Sequence, residues 1–300
     1  MFSGSLVALV TPMHDDGAID VEAWERLLDL HLRCDTAAVV VGGSTGESVA
    51  LTEAEHDALL ARARRRCAGR MAVIAGVGGS STRAVVERVR ALAGAELDAL
   101  LVVTPAYNRP TQEGLYRHFA AIAEAAAVPV LLYNVPGRTA VDLLPATVAR
   151  LAELRRIAGI KEAVGELSRI RELLDVVPPG FAVLSGDDAT ACEAVLAGAR
   201  GVISVTANLV PAAVAAVMAA ALRGEREAAR HLDQPLVALH RELSLEPNPI
   251  PVKWARADMK LINPGIRLPL TWLSAAAQSR VRSALRAAQP TIVQSRASGA

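Results

Sequence analysis

The chain alternates, eight times over, between a short run of Val, Leu, Ile and Ala and a longer stretch in which apolar residues return at helical spacing. The short runs fall at 6–11, 38–42, 72–76, 99–104, 130–134, 157–161, 182–185 and 201–205. Each is apolar almost without interruption, as a strand covered on both faces must be. Helical period follows at 21–33, 52–67, 82–93, 112–126 and 211–222, among others. Thr52-Glu53-Ala54-Glu55 reads as a capping box, with Thr52 accepting a first-turn amide and Glu55 reaching back. Eight such units with short connections predict an α/β protein, a (β/α)8 TIM barrel over residues 1–224, although period alone leaves a doubly wound sheet open. Beyond Gly224 the strand signals stop. Helical period at 225–243, 252–261 and 270–288 predicts a C-terminal helical extension over 225–300, whose small, polar end from 289 is expected to fray.

Composition narrows the partners. The 300 residues are 52% hydrophobic, and Lys and Arg total 32 against 31 acidic residues, for a net charge of +1. No basic stripe or acidic tail points to nucleic acid or a membrane, so small molecules and sister subunits are the expected partners. Cys34, Cys67 and Cys192 lie far apart and form no Cys-x-x-Cys, which suits a reducing compartment. With neither a signal-type leader nor a membrane-length apolar run, a cytoplasmic location is expected. The six histidines contain no His-x-x-x-His or His-Glu-x-x-His pattern, so no metal is expected. Ser185-Gly186-Asp187-Asp188 lacks the glycine spacing of a dinucleotide fingerprint, which argues against dinucleotide chemistry.

In a parallel barrel the reacting groups sit where strands end, so a polar residue closing an apolar run is a candidate. Lys161 ends Ile157-Ala158-Gly159-Ile160. Lost hydration there makes its neutral, nucleophilic amine accessible, as imine formation with a 2-oxo acid requires; a lysine snorkelling to solvent or paired with Glu162 is the plain alternative. Tyr133, in Leu131-Leu132-Tyr133-Asn134, can shuttle a proton as a carbinolamine collapses, or can be a core tyrosine bonded to backbone. Gly42-Gly43-Ser44-Thr45-Gly46-Glu47-Ser48 follows the second strand and offers hydroxyls and amides to a carboxylate, or is an ordinary turn. Tyr107, on the Pro-flanked loop 104–110, suits presentation into a site or across an interface. Arg138, after Pro136-Gly137, can hold a substrate carboxylate with two bonds, unless it is a solvated surface arginine.

Together these motifs resemble the dihydrodipicolinate synthase / N-acetylneuraminate lyase family. The likeness runs from Ala8-Leu9-Val10-Thr11-Pro12 through Gly46-Glu47-Ser48, Tyr107-Asn108-Arg109-Pro110, Tyr133-Asn134-Val135-Pro136, Gly159-Ile160-Lys161-Glu162 and Ser185-Gly186-Asp187-Asp188 to the segment from Glu246 to Lys253. The resemblance implies a barrel enzyme in which Lys161 forms an imine with pyruvate. Tyr133 then relays protons with Ser44 and Tyr107, the latter reaching a neighbouring subunit's site in a dimer that pairs into a homotetramer. It implies no cofactor beyond the covalent imine. Thr45, Ile203 and Gly186 fall at pyruvate-pocket positions. Arg138 implies a carboxylate-bearing acceptor, L-aspartate 4-semialdehyde, condensed to 4-hydroxy-tetrahydrodipicolinate in lysine and diaminopimelate biosynthesis. Ser44 departs from the Thr usual in that branch and keeps open a sugar-acid lyase or aldolase, acting on N-acetylneuraminate or a 2-keto-3-deoxy sugar acid. A non-catalytic 2-oxo-acid-binding barrel is the remaining alternative. Ala84 and Ala106 replace an acidic and an aromatic residue of lysine-inhibited members, so weak lysine feedback is expected although His56 is retained.

Overall fold

Successive side chains of a strand point to opposite faces, so each short apolar run must satisfy an inner and an outer environment at once. A computed structural model of the chain describes residues 2–297, with side chains through 288. Its strands are β1 (Gly4–Ala8), β2 (Ala38–Val41), β3 (Ala72–Val77), β4 (Ala99–Val103), β5 (Val130–Asn134), β6 (Ile157–Glu162), β7 (Ala182–Ser185) and β8 (Gly201–Ser204). All neighbouring pairs are parallel, and β8 returns to pair with β1, closing the barrel. That closure excludes the doubly wound sheet. Leu6, Val40, Ile74, Leu101, Leu131, Leu184 and Ile203 fill the interior, while the intervening Val7, Val39, Val73, Val102, Leu132, Val183 and Val202 pack outward under the helices.

The first strand starts and ends earlier than the pattern predicts. The Leu9 amide still donates to the Val40 carbonyl of β2 at 3.1 Å, but beyond it the polar groups turn elsewhere: the Val10 amide donates to Asn208 Oδ1 at 3.0 Å, and Thr11 Oγ1 donates to the Gly46 carbonyl at 2.8 Å. At the closing seam a Cβ on Gly201 would lie 2.1 Å from the Gly4 carbonyl oxygen, so that approach needs glycine. The capping box forms as predicted, with the Glu55 amide donating to Thr52 Oγ1 at 3.2 Å and the Thr52 amide to Glu55 Oε2 at 2.8 Å.

The stretch 225–243 is not one helix but Arg226–Asp233, a 3-10 turn Gln234–Leu236 and Val237–Glu242. Pro235 lacks the amide that a continuous helix needs there. The next helix, Ile250–Asp258, is buried from Ile250 through Arg256 and lies against the barrel. The last, Ala275–Ala297, continues past residue 289, where the sequence predicts fraying; residues 298–300 lie outside the described residues.

Candidate active site

The carboxyl ends of the strands gather most of the predicted chemistry. Tyr133 and Lys161 are register partners on β5 and β6, and Lys161 is also paired with Leu184 of β7. Tyr133 and Leu184 belong to the interior cluster, so Lys161 faces inward with them. Lys161 is 4% exposed, and its Nζ stands 4.4 Å from the centroid of the Tyr133 ring. Glu162 is the next residue on the strand and points to the outer face. It therefore cannot neutralise Lys161, and among the described residues Lys161 has no ion pair. The plain reading, a lysine paired with Glu162 or reaching solvent, is set aside by that geometry.

Gly186 explains how the lysine stem is accommodated. A Cβ there would lie 2.9 Å from Lys161 Cε, 3.0 Å from Cγ and 2.8 Å from the Ala163 Cβ. The absent side chain is the passage through which Lys161 reaches the centre. Ile203, fully buried on β8, forms part of the same interior lining.

Ser44 and Thr45 open a 3-10 turn, Ser44–Gly46, directly after β2; Ser44 is half-buried and Thr45 buried. Arg138 lies on the short helix Pro136–Thr139 after β5 and is exposed. These two loops meet through a residue that the sequence did not single out. Asn248 donates from Nδ2 to Thr45 Oγ1 at 2.9 Å, and its carbonyl accepts from Arg138 at 2.9 Å. Tyr107 is the predicted residue that the single chain leaves apart: it is 94% exposed, with a left-handed φ of +73°.

Three further groups were missed. Glu47 and Lys253 form an ion pair with both side chains fully buried, and the Arg267 amide also donates to Glu47, at 3.1 Å. Burial pushes the Lys253 amine down, against the charge and hydrogen bond of Glu47. A lone acid in a small-residue turn and a lone lysine in Ile250-Pro251-Val252-Lys253-Trp254 were the available signals. Behind β8, Asp188 accepts from the Val205 and Thr206 amides at 2.8 and 2.9 Å, fixing the end of the strand that carries Ile203. On the outer face Glu162 accepts from Asn134 Nδ2 at 3.0 and 3.2 Å. Burial pushes its carboxyl up to about 6, against the Asn134 bond, the Val164 amide and the Arg169 charge.

A separate cavity lies away from these residues. About 650 Å³ opens at the amino ends of the strands between Phe2, Pro178 and Phe181, and Asp98 is its one ionisable lining residue. No lysine, cysteine or histidine lines it. Among the described residues, no group of three or more His, Cys, Asp or Glu could hold a metal ion, and no helix is long and apolar enough to cross a membrane.

Comparison with known proteins agrees with this layout. The model of the dihydrodipicolinate synthetase family matches residues 1–288. A 4-hydroxy-tetrahydrodipicolinate synthase from Ectopseudomonas mendocina (strain ymp) is 54% identical over 286 residues, covering 95% of this chain and 98% of the relative. One from Methylococcus capsulatus is 51% identical, with 96% and 99% covered. Among solved structures, the chloride-inhibited dihydrodipicolinate synthase from Acinetobacter baumannii, complexed with pyruvate, superposes with a TM-score of 0.95 at 46% identity, over 96% of this chain and 99% of that one.

Proposed function

Because the chain belongs to the dihydrodipicolinate synthetase family, we propose that Lys161 is the amine through which it condenses pyruvate with L-aspartate 4-semialdehyde to 4-hydroxy-tetrahydrodipicolinate. The observation that carries this reading is the inward, buried, unpaired Lys161, 4.4 Å from the centre of the Tyr133 ring. A buried lysine without a carboxylate partner is costly to keep as a purely structural element, whereas an attacking amine must be unencumbered.

Lys161 Nζ adds to the pyruvate keto carbon. The carbinolamine loses water once a proton leaves nitrogen and one reaches the hydroxyl, and Tyr133 relays both with Ser44 and the Tyr107 of a second subunit. Loss of a methyl proton turns the imine into an enamine, whose carbon attacks the aldehyde. The semialdehyde amine then adds to the imine carbon and expels Lys161, closing the ring and restoring the free amine. No cofactor enters these steps, since the protonated imine is the electron sink. Thr45 and the turn amides hold the pyruvate carboxylate, with Gly186 and Ile203 shaping the pocket, and Arg138 receives the carboxylate of the semialdehyde. The sugar-acid lyase alternative opened by Ser44 finds no counterpart in the two relatives above, both synthases at 51–54% identity.

The exposure of Tyr107 supports a dimer in which each chain completes its neighbour's proton path, and two such dimers make the homotetramer. A cytoplasmic location suits the substrates. Residues 1–224 carry the chemistry and 225–300 brace it, through Asn248 and Lys253. The test is to incubate the protein with pyruvate, reduce with borohydride and weigh it. The parent gains the mass of a reduced pyruvate adduct and Lys161→Ala does not; an unmodified parent refutes the imine. Product formation with aspartate semialdehyde, followed through a coupled reductase, checks the acceptor.

A further inference from the structure

Immediately beyond Tyr133 and Lys161 stands a second register pair, Asn134 and Glu162, turned to the outer face and buried. Asn134 Nδ2 donates to both Glu162 oxygens and, at 2.8 Å, to Asp142 Oδ1. Asn134 Oδ1 accepts from the Leu143 amide at 3.0 Å, which closes the loop 135–142 that carries Arg138. Glu162 Oε1 accepts from the Val164 amide at 2.9 Å. Arg169, from the helix Leu167–Val176, lies 3.7 Å from Glu162 and holds Asp142 by two bonds of 2.9 and 2.8 Å, with Glu172 on its far side at 3.5 Å. One set of bonds thus joins the ends of both reactive strands to the loop of Arg138.

We propose that Glu162 is a positioning residue for imine formation: as a carboxylate it holds, through Asn134, the strand ends that set Lys161 against Tyr133. The proposal rests on the Lys161 imine described above. The groups bonded to Glu162 are the Asn134 amide and the Val164 N–H, with the Arg169 guanidinium beyond, and all are donors, matched to the lone pairs of an ionised carboxylate. A protonated Glu162 brings a further donor into a ring of donors, and one of the bonds must break. Asp142, the acidic neighbour, is already engaged by Arg169 and Asn134. Burial raises the Glu162 carboxyl to about 6, so the change falls inside the range in which the enzyme can be assayed.

The assay is exchange of the pyruvate methyl protons for solvent deuterium, followed by NMR, which requires imine and enamine but no second substrate. Across about pH 5 to 8 the parent's maximal exchange rate falls on the acid side with a midpoint near the Glu162 value. Glu162→Gln, which places an NH2 among the same donors, stays on the parent's acid plateau at every pH. Above the midpoint it exchanges about 10- to 100-fold more slowly, with the half-saturating pyruvate concentration little changed. Glu162→Asp restores the acid limb in part. Arg169→Gln, which withdraws the nearby positive charge, moves the midpoint to higher pH, and it decides the matter should Glu162→Gln not fold. An exchanging parent whose profile runs parallel to that of Glu162→Gln, or an Arg169→Gln midpoint that does not rise, overturns the positioning role and leaves the imine intact. A parent that exchanges no protons overturns both.

Discussion

Lys253 offers a direct perturbation of how the C-terminal helices hold the site. Its ammonium and the Glu47 carboxylate are both fully buried, and the Arg267 amide is the other donor to Glu47. Lys253→Met keeps most of the stem volume and removes the charge, stranding an ionised or forcibly protonated Glu47 in the interior. Such a change costs about 3–5 kcal/mol, because the remaining charge keeps its full desolvation penalty without its partner. For a chain of this size each kcal/mol lowers Tm by roughly 2–4 °C, so scanning calorimetry should find a drop on the order of 10 °C. Glu47→Gln strands Lys253 and costs a similar amount. In Glu47→Gln/Lys253→Met both charges are gone, and the double variant should lose no more than the worse single one. Activity should follow, because Glu47 adjoins the Ser44–Gly46 turn and Asn248, five residues before Lys253, ties Thr45 to Arg138. Both singles should therefore raise the pyruvate KM. Strictly additive losses of Tm in the double variant would refute the argument, since they would mean that neither group suffers from losing the other.

Three shorter predictions concern the rest of the site. Gly186→Ala puts a methyl where Lys161 Cε and the Ala163 Cβ already stand; it should cost about 1–3 kcal/mol in stability. Its kcat should fall about 10- to 100-fold as the amine is displaced, and an unchanged kcat would show the passage to be unnecessary. Glu162 keeps its proton up to about 6 when folded, against 4.5 unfolded, so the native state binds more protons in that window and loses on the order of 2 kcal/mol as pH rises through it. Melting curves of the parent and Glu162→Gln should converge in their pH dependence outside the window and differ within it; identical slopes throughout count against the burial argument. Lysine at millimolar concentration should leave the rate nearly unchanged, given Ala84 and Ala106, and an inhibition curve of ordinary potency overturns that expectation.

The barrel was legible because its strands are buried on both faces and so are written as apolar runs, a local signal. Lys161 was legible for the same reason: a charge that ends such a run stands out. What could not be read was which side each terminal residue faces. Between Val130 and Leu131 the register of β5 against β6 shifts by one, with the extra residue on β6, and the inward placement of Lys161 beside Tyr133 follows from that irregularity. Val10 and Thr11 look like strand, yet Asn208 and Gly46 take their polar groups. Glu47 and Lys253 are 206 positions apart, and neither flanking segment announces the other. Tyr107 was visible as a residue on a constrained loop, but its proposed destination belongs to another chain.

Two buried lysines in one fold separate structural from chemical use of the same side chain. Lys253 meets a carboxylate that approaches from a distant turn, and the pair locks the C-terminal helices onto the loop after β2. Lys161 is followed directly by a carboxylate, closer in sequence than any other partner, yet the strand's two-residue period turns Glu162 to the opposite face. There Asn134 holds it and Arg169 stands nearby, so its charge steadies the strand from behind without quenching the amine in front. A helix in place of β6 would set the two side chains about 100° apart instead of on opposite faces. The strand end thus permits a nucleophile and a carboxylate at consecutive positions to serve one reaction from opposite faces.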